Sequence, residues 1–278
     1  MQGNLLHSVE LLYLTNGTKL DISGNVTLVG NFSYVINEEM MCADWDDKGI
    51  VLIIGVTIHP EDPRGRDLIR QTWGRTAKDN PSMKLIFFVG AHVDPYFNYA
   101  EIEQESNKYN DIVMADFVDS YRNLTRKSFA IFQWVTTYCP KAQYLLKIDS
   151  DMKIDLERLF IALKTKKIPD KISCGKIFPH ERVFRQQDHK WYVSFDEYAP
   201  EFFPTYCHGP AYIVPRRILF RLTEVRLPVE PFPIEDVFVT GFLRRKLNEG
   251  LDDNVLWFNH ERKKKFDEGY YGVIEIKN

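Results

Sequence analysis

Apolar residues in this chain gather into short, nearly continuous runs instead of alternating with polar ones. IVLIIGVTI at Ile50–Ile58, KLIFFVG at Lys84–Gly90, DIVMADF at Asp111–Phe117 and YLLKID at Tyr144–Asp149 each have strand length and are rich in β-branched or aromatic residues. Between them, Asp67–Trp73, Tyr99–Lys108 and Thr125–Tyr138 carry helical spacing. Pro60, Pro63 and Gly65 read as turn punctuation after the first run. Strands apolar on both faces and alternating with helices predict an α/β fold whose parallel sheet is covered on both sides. Sites in such sheets lie beyond the carboxyl ends of the strands, and Asp149 stands at one of those ends.

The flanks have a different texture. Residues 1–47 mix Asn, Gly and Thr with scattered apolar positions and read as a loosely structured stem, leaving 48–278 as the packed domain. From Ile172 to Val214 aromatics and prolines dominate, which predicts antiparallel pieces and long loops. Helices around Arg216–Thr223 and Glu235–Asn248 follow.

Composition narrows the class. With 278 residues, 44% of them hydrophobic, the chain can bury a core without covalent staples. A net charge of -3 argues against a nucleic-acid partner, in spite of the short basic run Lys263–Lys265. Cys42, Cys139, Cys174 and Cys207 are too dispersed for a zinc knuckle and suit two disulfides. Sequons at Asn16, Asn25, Asn31 and Asn123 lean the same way, toward a lumenal or extracellular setting. The longest apolar run is far below the roughly 20 residues of a membrane span. The expectation is therefore a soluble chain whose signal or anchor lies outside these residues.

Three constellations carry candidate chemistry. Asp149-Ser150-Asp151 at a strand end offers hard oxygen ligands for Mn²⁺ or Mg²⁺, or is a solvated turn before a helix at Leu156. Glu235 and Asp236 open an apolar helix, either as first-turn acids or as a general base toward a hydroxyl. Arg66 and Arg70 sit four apart on one helix face, able to grip a diphosphate or to pair with acids.

In combination these motifs are specific. Arg66-x-x-Ile69-Arg70-x-x-Trp73, DFVDSYRNLTRKS at Asp116–Ser128, the Asp149–Asp151 triplet, YCHGPAYIV at Tyr206–Val214 and EDVFVTG at Glu235–Gly241 resemble the β-1,3-glycosyltransferase family. The resemblance spans about Ile50 to His260. It implies a GT-A fold with a nucleotide-binding half (48–151) and an acceptor-binding half (152–278). It also implies a UDP-sugar donor, a glycan acceptor, Mn²⁺, an inverting reaction and a type II membrane protein of the Golgi, its catalytic part in the lumen. The motif wording favours galactose as the sugar, with N-acetylglucosamine as the alternative. Asp151 would bind the metal, with Asp149 facing the ribose or sharing the ion, and Ser150 replaces the family's usual middle aspartate. His260 in WFNHER is the candidate further ligand, against a satisfied surface histidine. Thr57, Arg66, Arg70, Asp119 and Lys127 would meet the nucleotide and its phosphates, leaving the Asn123 sequon incidental.

On the same resemblance Asp236 is the catalytic base, with Glu235 the alternative. Trp191, Tyr192, Phe195, Tyr206 and Tyr212 include candidates for a sugar-stacking platform, core packing being the competing role for each. Cys139 would bridge Cys207, and Cys42 would bridge Cys174. The rivals are a strand-end D-x-D phosphatase, which would carry the motif after its first strand, and an inactive lumenal UDP-sugar or glycan-binding protein.

Overall fold

The structure, a computed structural model, describes residues 32–43, 51–94, 96–225, 232–254, 256–266 and 269–276; within the last two stretches only the side chains of 256, 273, 274 and 276 are described. The sequons at Asn16, Asn25 and Asn31 lie outside the described residues.

Strands β2 (Leu52–Thr57), β3 (Met83–Ala91), β4 (Ile112–Val118) and β5 (Tyr144–Asp149) run parallel in the spatial order β4-β3-β2-β5. Helices α1 (Pro63–Gln71), α2 (Arg75–Asp79), α3 (Tyr99–Tyr109) and α4 (Leu124–Tyr138) supply the crossovers that parallel pairing demands. Ile53, Ile86 and Leu145 pack with Phe129, Phe132 and Trp134 of α4 on one face. Leu52, Ile54, Phe87 and Leu146 pack with Ile69 of α1 and Ile102 of α3 on the other. Two covered faces are the reason the strands read as unbroken apolar runs.

Both edges of this parallel core are extended. Strand β1 (Tyr34–Ile36) joins β4 antiparallel, so residues 32–43 pack with the sheet. Beyond β5 come β10 (Ala211–Pro215), antiparallel to it, then β7 (Ile172–Cys174) and β11 (Leu251–Asp252), while β8 (Ile177–Phe178) and β9 (Tyr206–Cys207) pair with each other. The expected α/β architecture is thus realised as a mixed sheet with a parallel centre.

Two boundaries differ from the reading of the sequence. Helix α1 begins at Pro63, because Pro at the first helical position loses nothing and Asp62 caps it by accepting from the Gly65 amide at 2.8 Å. The segment opening at Glu235 is π-helical over Val237–Leu243, where the Thr240 hydroxyl donates to the Asp236 carbonyl at 2.6 Å. Such π segments concentrate at functional sites.

The disulfides pair Cys42 with Cys139 and Cys174 with Cys207, which overturns the expected Cys139–Cys207 and Cys42–Cys174. Cys139 ends α4 near the amino end of β5, whereas Cys207 lies near its carboxyl end. A six-residue strand, roughly 20 Å, separates those ends, and a disulfide needs Cα atoms within about 7 Å.

Candidate active site

The carboxyl edge of the parallel strands opens into a cleft of about 290 Å³, lined by Asp149, Asp151, Glu235 and Asp236. Asp149 ends β5, and Asp151 follows one residue later, before the short strand β6 (Met152–Ile154). This turn is pinned by backbone bonds: the Asp149 amide donates to the Pro210 carbonyl at 2.8 Å, and the Ser150 amide to that of Thr57 at 3.1 Å. The Asp149 carboxylate accepts from the Thr57 hydroxyl at 2.6 Å. The third acid, Asp155, is occupied otherwise. It caps helix α5 (Leu156–Lys164), accepting from the Arg158 amide at 3.0 Å.

One buried cation links the two acid pairs. Lys147, in the middle of β5, places its Nζ 2.5 Å from Asp149 Oδ1, 3.8 Å from Glu235 Oε2 and 3.0 Å from the Gly209 carbonyl. Burial alone would lower the pKa of this ammonium, but Asp149 and then Glu235 outweigh it and the net shift is upward. Glu235 also accepts from Ser128 Oγ at 2.6 Å and from the Tyr212 hydroxyl at 2.5 Å, so its oxygens are committed.

Asp236 is held differently. Among the described residues it accepts only from backbone amides, Val237 at 2.9 Å and Gly209 at 3.0 Å, with no cation in contact. Burial, followed by the neighbouring Glu235 charge, pushes its carboxyl up to about 7. Enclosure by the cleft and then the charge of Asp149 also raise Asp151. Two carboxylates one residue apart on an accessible cleft are a donor set that fits a hard divalent cation.

The remaining predicted residues divide by position. Lys127 and Asp119 form a buried ion pair of 2.7 Å; Lys127 also donates to the Ile58 carbonyl at 2.8 Å, and Asp119 accepts from the Gly90 amide at 2.9 Å. They tie together the carboxyl ends of β2 and β3 without lining the cleft. Arg66 and Arg70 are not in the cleft either. Arg66 bonds Glu105 at 2.7 Å and the carbonyls of His59 and Pro60, while Arg70 bonds Asp111 and Glu105, both at 2.7 Å. Pairing with acids was the alternative for these arginines, and it is the arrangement present. The side chain of His260 lies outside the described residues.

Among the aromatics, Trp191 and Tyr206 line the cleft with Tyr121, Phe178 and Phe184. Tyr212 is buried against Glu235, and Phe195 points outward under the Arg185 guanidinium, 4.1 Å from its ring centre. The Asn123 side chain donates to the Val118 carbonyl at 2.7 Å.

The family model described as galactosyltransferase matches residues 64–250, which contain every cleft residue named above. The chain belongs to the galactosyltransferase family. It is 32% identical over 238 residues to mouse beta-1,3-galactosyltransferase 2, covering 84% of this chain and 56% of that protein. It is 33% identical over 212 residues to human UDP-GalNAc:beta-1,3-N-acetylgalactosaminyltransferase 1, covering 75% and 63%. Against mouse beta-1,3-galactosyltransferase 1 the identity is 32%, covering 83% and 69%. The chain thus spans little more than half the length of the first of these relatives. Among solved structures, 4-diphosphocytidyl-2C-methyl-D-erythritol synthase from Anaerococcus prevotii overlaps 76% of this chain and 87% of its own, at 13% identity and a TM-score of 0.40, a likeness too distant to argue from.

Within this galactosyltransferase-family cleft, two residues escape a reading of the sequence. Lys147 had a signal: a charge inside an apolar strand that is covered on both faces requires a partner. Gly209 had only its place in the YCHGPAYIV motif. A Cβ built on Gly209 would sit 2.8 Å from Asp236 Oδ2 and 3.1 Å from its Cβ and Cγ. Gly209→Ala should therefore displace the Asp236 carboxylate and cost roughly 10²-fold in any turnover that uses this carboxylate, through misplacement, with little change in melting temperature. Unchanged turnover in the alanine variant would remove this role.

Proposed function

We propose that this chain transfers galactose from UDP-galactose to the 3-hydroxyl of an acceptor glycan, with inversion, to give a β-1,3 linkage. The observation that carries the reading is the meeting, in one cleft, of the strand-end Asp149/Asp151 pair with Asp236, a carboxyl poised near neutrality between two backbone amides.

In the proposed step Asp236 takes the proton of the acceptor 3-hydroxyl. The oxygen then bonds to the anomeric carbon from the face opposite the nucleotide, and the anomeric C–O bond breaks with its electron pair leaving on UDP. Glu235 is the weaker candidate for base, since Lys147, Ser128 and Tyr212 already engage its oxygens. When bound by Asp151 and Asp149, Mn²⁺ would offset the charge that develops on the departing diphosphate. Thr57 and Ser150 border the nucleotide end through their bonds to Asp149 and to the turn. Lys127 and Asp119 act there by fixing the strand ends, and Trp191 and Tyr206 offer ring faces to the acceptor sugar.

A second donor, UDP-N-acetylgalactosamine, is favoured by the human relative named for that sugar. The two disulfides support a lumenal setting such as the Golgi. Among the described residues, no helix is long and apolar enough to cross a membrane.

The test is UDP release with Mn²⁺ and each of UDP-galactose, UDP-N-acetylglucosamine and UDP-N-acetylgalactosamine, against a panel of β-galactoside and β-hexosaminide acceptors. Turnover with one donor, abolished by EDTA and by Asp151→Ala, is the expected result. Mn²⁺-dependent UDP binding without turnover on any acceptor would favour a binding protein instead, and absence of UDP binding would sink the metal-site reading.

A further inference from the structure

A second cluster of metal-binding side chains lies apart from the acid pairs. His59 and Glu61 stand in the loop after β2, and His92 directly follows β3, so two adjacent parallel strands deliver them to the same edge of the sheet. One ligand atom from each lies within 4.8 Å of those from the other two. His92 Nε2 is 3.2 Å from Glu61 Oε1, and His59 Nδ1 is 3.7 Å from Glu61 Oε2. Ligand atoms around a tetrahedral ion with bonds of about 2.0–2.1 Å stand roughly 3.3 Å apart; the two histidine–glutamate separations bracket that spacing, and rotation of the exposed His59 and Glu61 side chains would close the third.

The supports of the three residues are already in place. The Arg66 guanidinium and the Asp62 amide both donate to the His59 carbonyl at 3.1 Å, and Lys127 fixes the carbonyl of Ile58 at 2.8 Å. The His92 amide donates to the Tyr99 hydroxyl at 3.0 Å, and its ring stacks on Phe97 at 4.6 Å. Arg66, expected from the sequence at the phosphates, instead holds the loop that presents a histidine.

We propose that His59, Glu61 and His92 bind a divalent transition metal, of the zinc class, as a clasp between the loops after β2 and β3. Two imidazoles and one carboxylate suit Zn²⁺ or Co²⁺, while the all-oxygen pair Asp149/Asp151 suits Mn²⁺. The two sites therefore sort ions by ligand softness. Glu61 and His59 are exposed and His92 is half-buried, so the ion enters from solvent and the fourth position is taken by water. Two weak bonds are exchanged on binding: the Glu61 amide donates to His59 Nδ1 at 3.3 Å, and the Asp94 amide to His92 Nδ1 at 3.0 Å. The ring proton of His92 moves to Nδ1 when Nε2 takes the metal. The clasp carries no chemical step and does not depend on the proposed transfer reaction.

The experiment is titration of the full chain carrying Asp151→Ala, which disables the oxygen site, with Co²⁺ and then Zn²⁺ at pH 7.5. Visible Co²⁺ absorption is followed, with calorimetry alongside. One equivalent should bind with the bands of a tetrahedral Co²⁺–imidazole site, and Zn²⁺ should displace it. Adding His92→Ala or His59→Gln should weaken binding by at least tenfold, with circular dichroism confirming that each variant is folded. No absorption, or binding indifferent to both histidine substitutions, would overturn the proposal. Because no sugar donor is used, failure of the transferase reading leaves this result unaffected.

Discussion

Asp236→Asn is expected to lower kcat/KM by about 10²–10⁴-fold, the usual contribution of a general base, while making the protein more stable above pH 7. Both effects follow from one carboxyl. Its ordinary value of 3.8 is raised to about 7 by burial and then by the Glu235 charge. Between those two values an unfolded chain gives up this proton while the folded one keeps it, so stability falls as pH rises through that window and the penalty is complete above 7. Asparagine carries no charge and escapes it. Wild-type kcat/KM should accordingly climb from pH 6 to pH 8 with an apparent pKa near 7, whereas residual activity of the variant should be flat over that range. A wild-type profile already level at pH 6, or a variant no more stable than wild type at pH 8, would count against Asp236 as the base.

The largest structural effect belongs to Lys147. Replacing it with methionine keeps the length of the side chain but leaves Asp149 and Glu235, at 2.5 and 3.8 Å, without their shared cation. Removing one partner of a buried ionic cluster typically costs about 3–5 kcal/mol. The denaturant midpoint of Lys147→Met should fall accordingly. A midpoint equal to wild type would show that the acids are neutralised some other way. Activity in the variant should be lost as well, because the strand-end pair and the Glu235–Asp236 pair are held in relation to each other through this one ammonium.

The parallel core was legible because its physics is local. Apolar runs bounded by turn residues read as strands, and the boundaries of β5 and the start of α3 fall where periodicity puts them. The antiparallel insertion of β10 between β5 and β7 was not legible, since nothing in AYIVP states which neighbour it will pair with. Carboxylates were the easiest part of the cleft to find, as acids at strand ends stand out. What neutralises them was harder: the charge of Lys147 inside an apolar strand called for a partner, but which one is fixed only once Gly209 and Glu235 arrive from distant segments. Arg66 and Arg70 show the opposite error. Their spacing suits a diphosphate equally well as it suits Glu105 and Asp111, and only the packing of α3 against α1 selects between the two.

Strand β1 has a consequence for behaviour in solution. It is three residues long, yet it occupies the hydrogen-bonding edge of β4, a strand whose first four residues are all buried. An uncovered edge of that kind is a template onto which another chain can add a strand. Cys42, bridged to Cys139, secures the segment that carries this cover. A reducing environment that opened the bridge would loosen the guard on β4 before it disturbed the cleft, so self-association through that edge would come ahead of any loss of the folded catalytic apparatus.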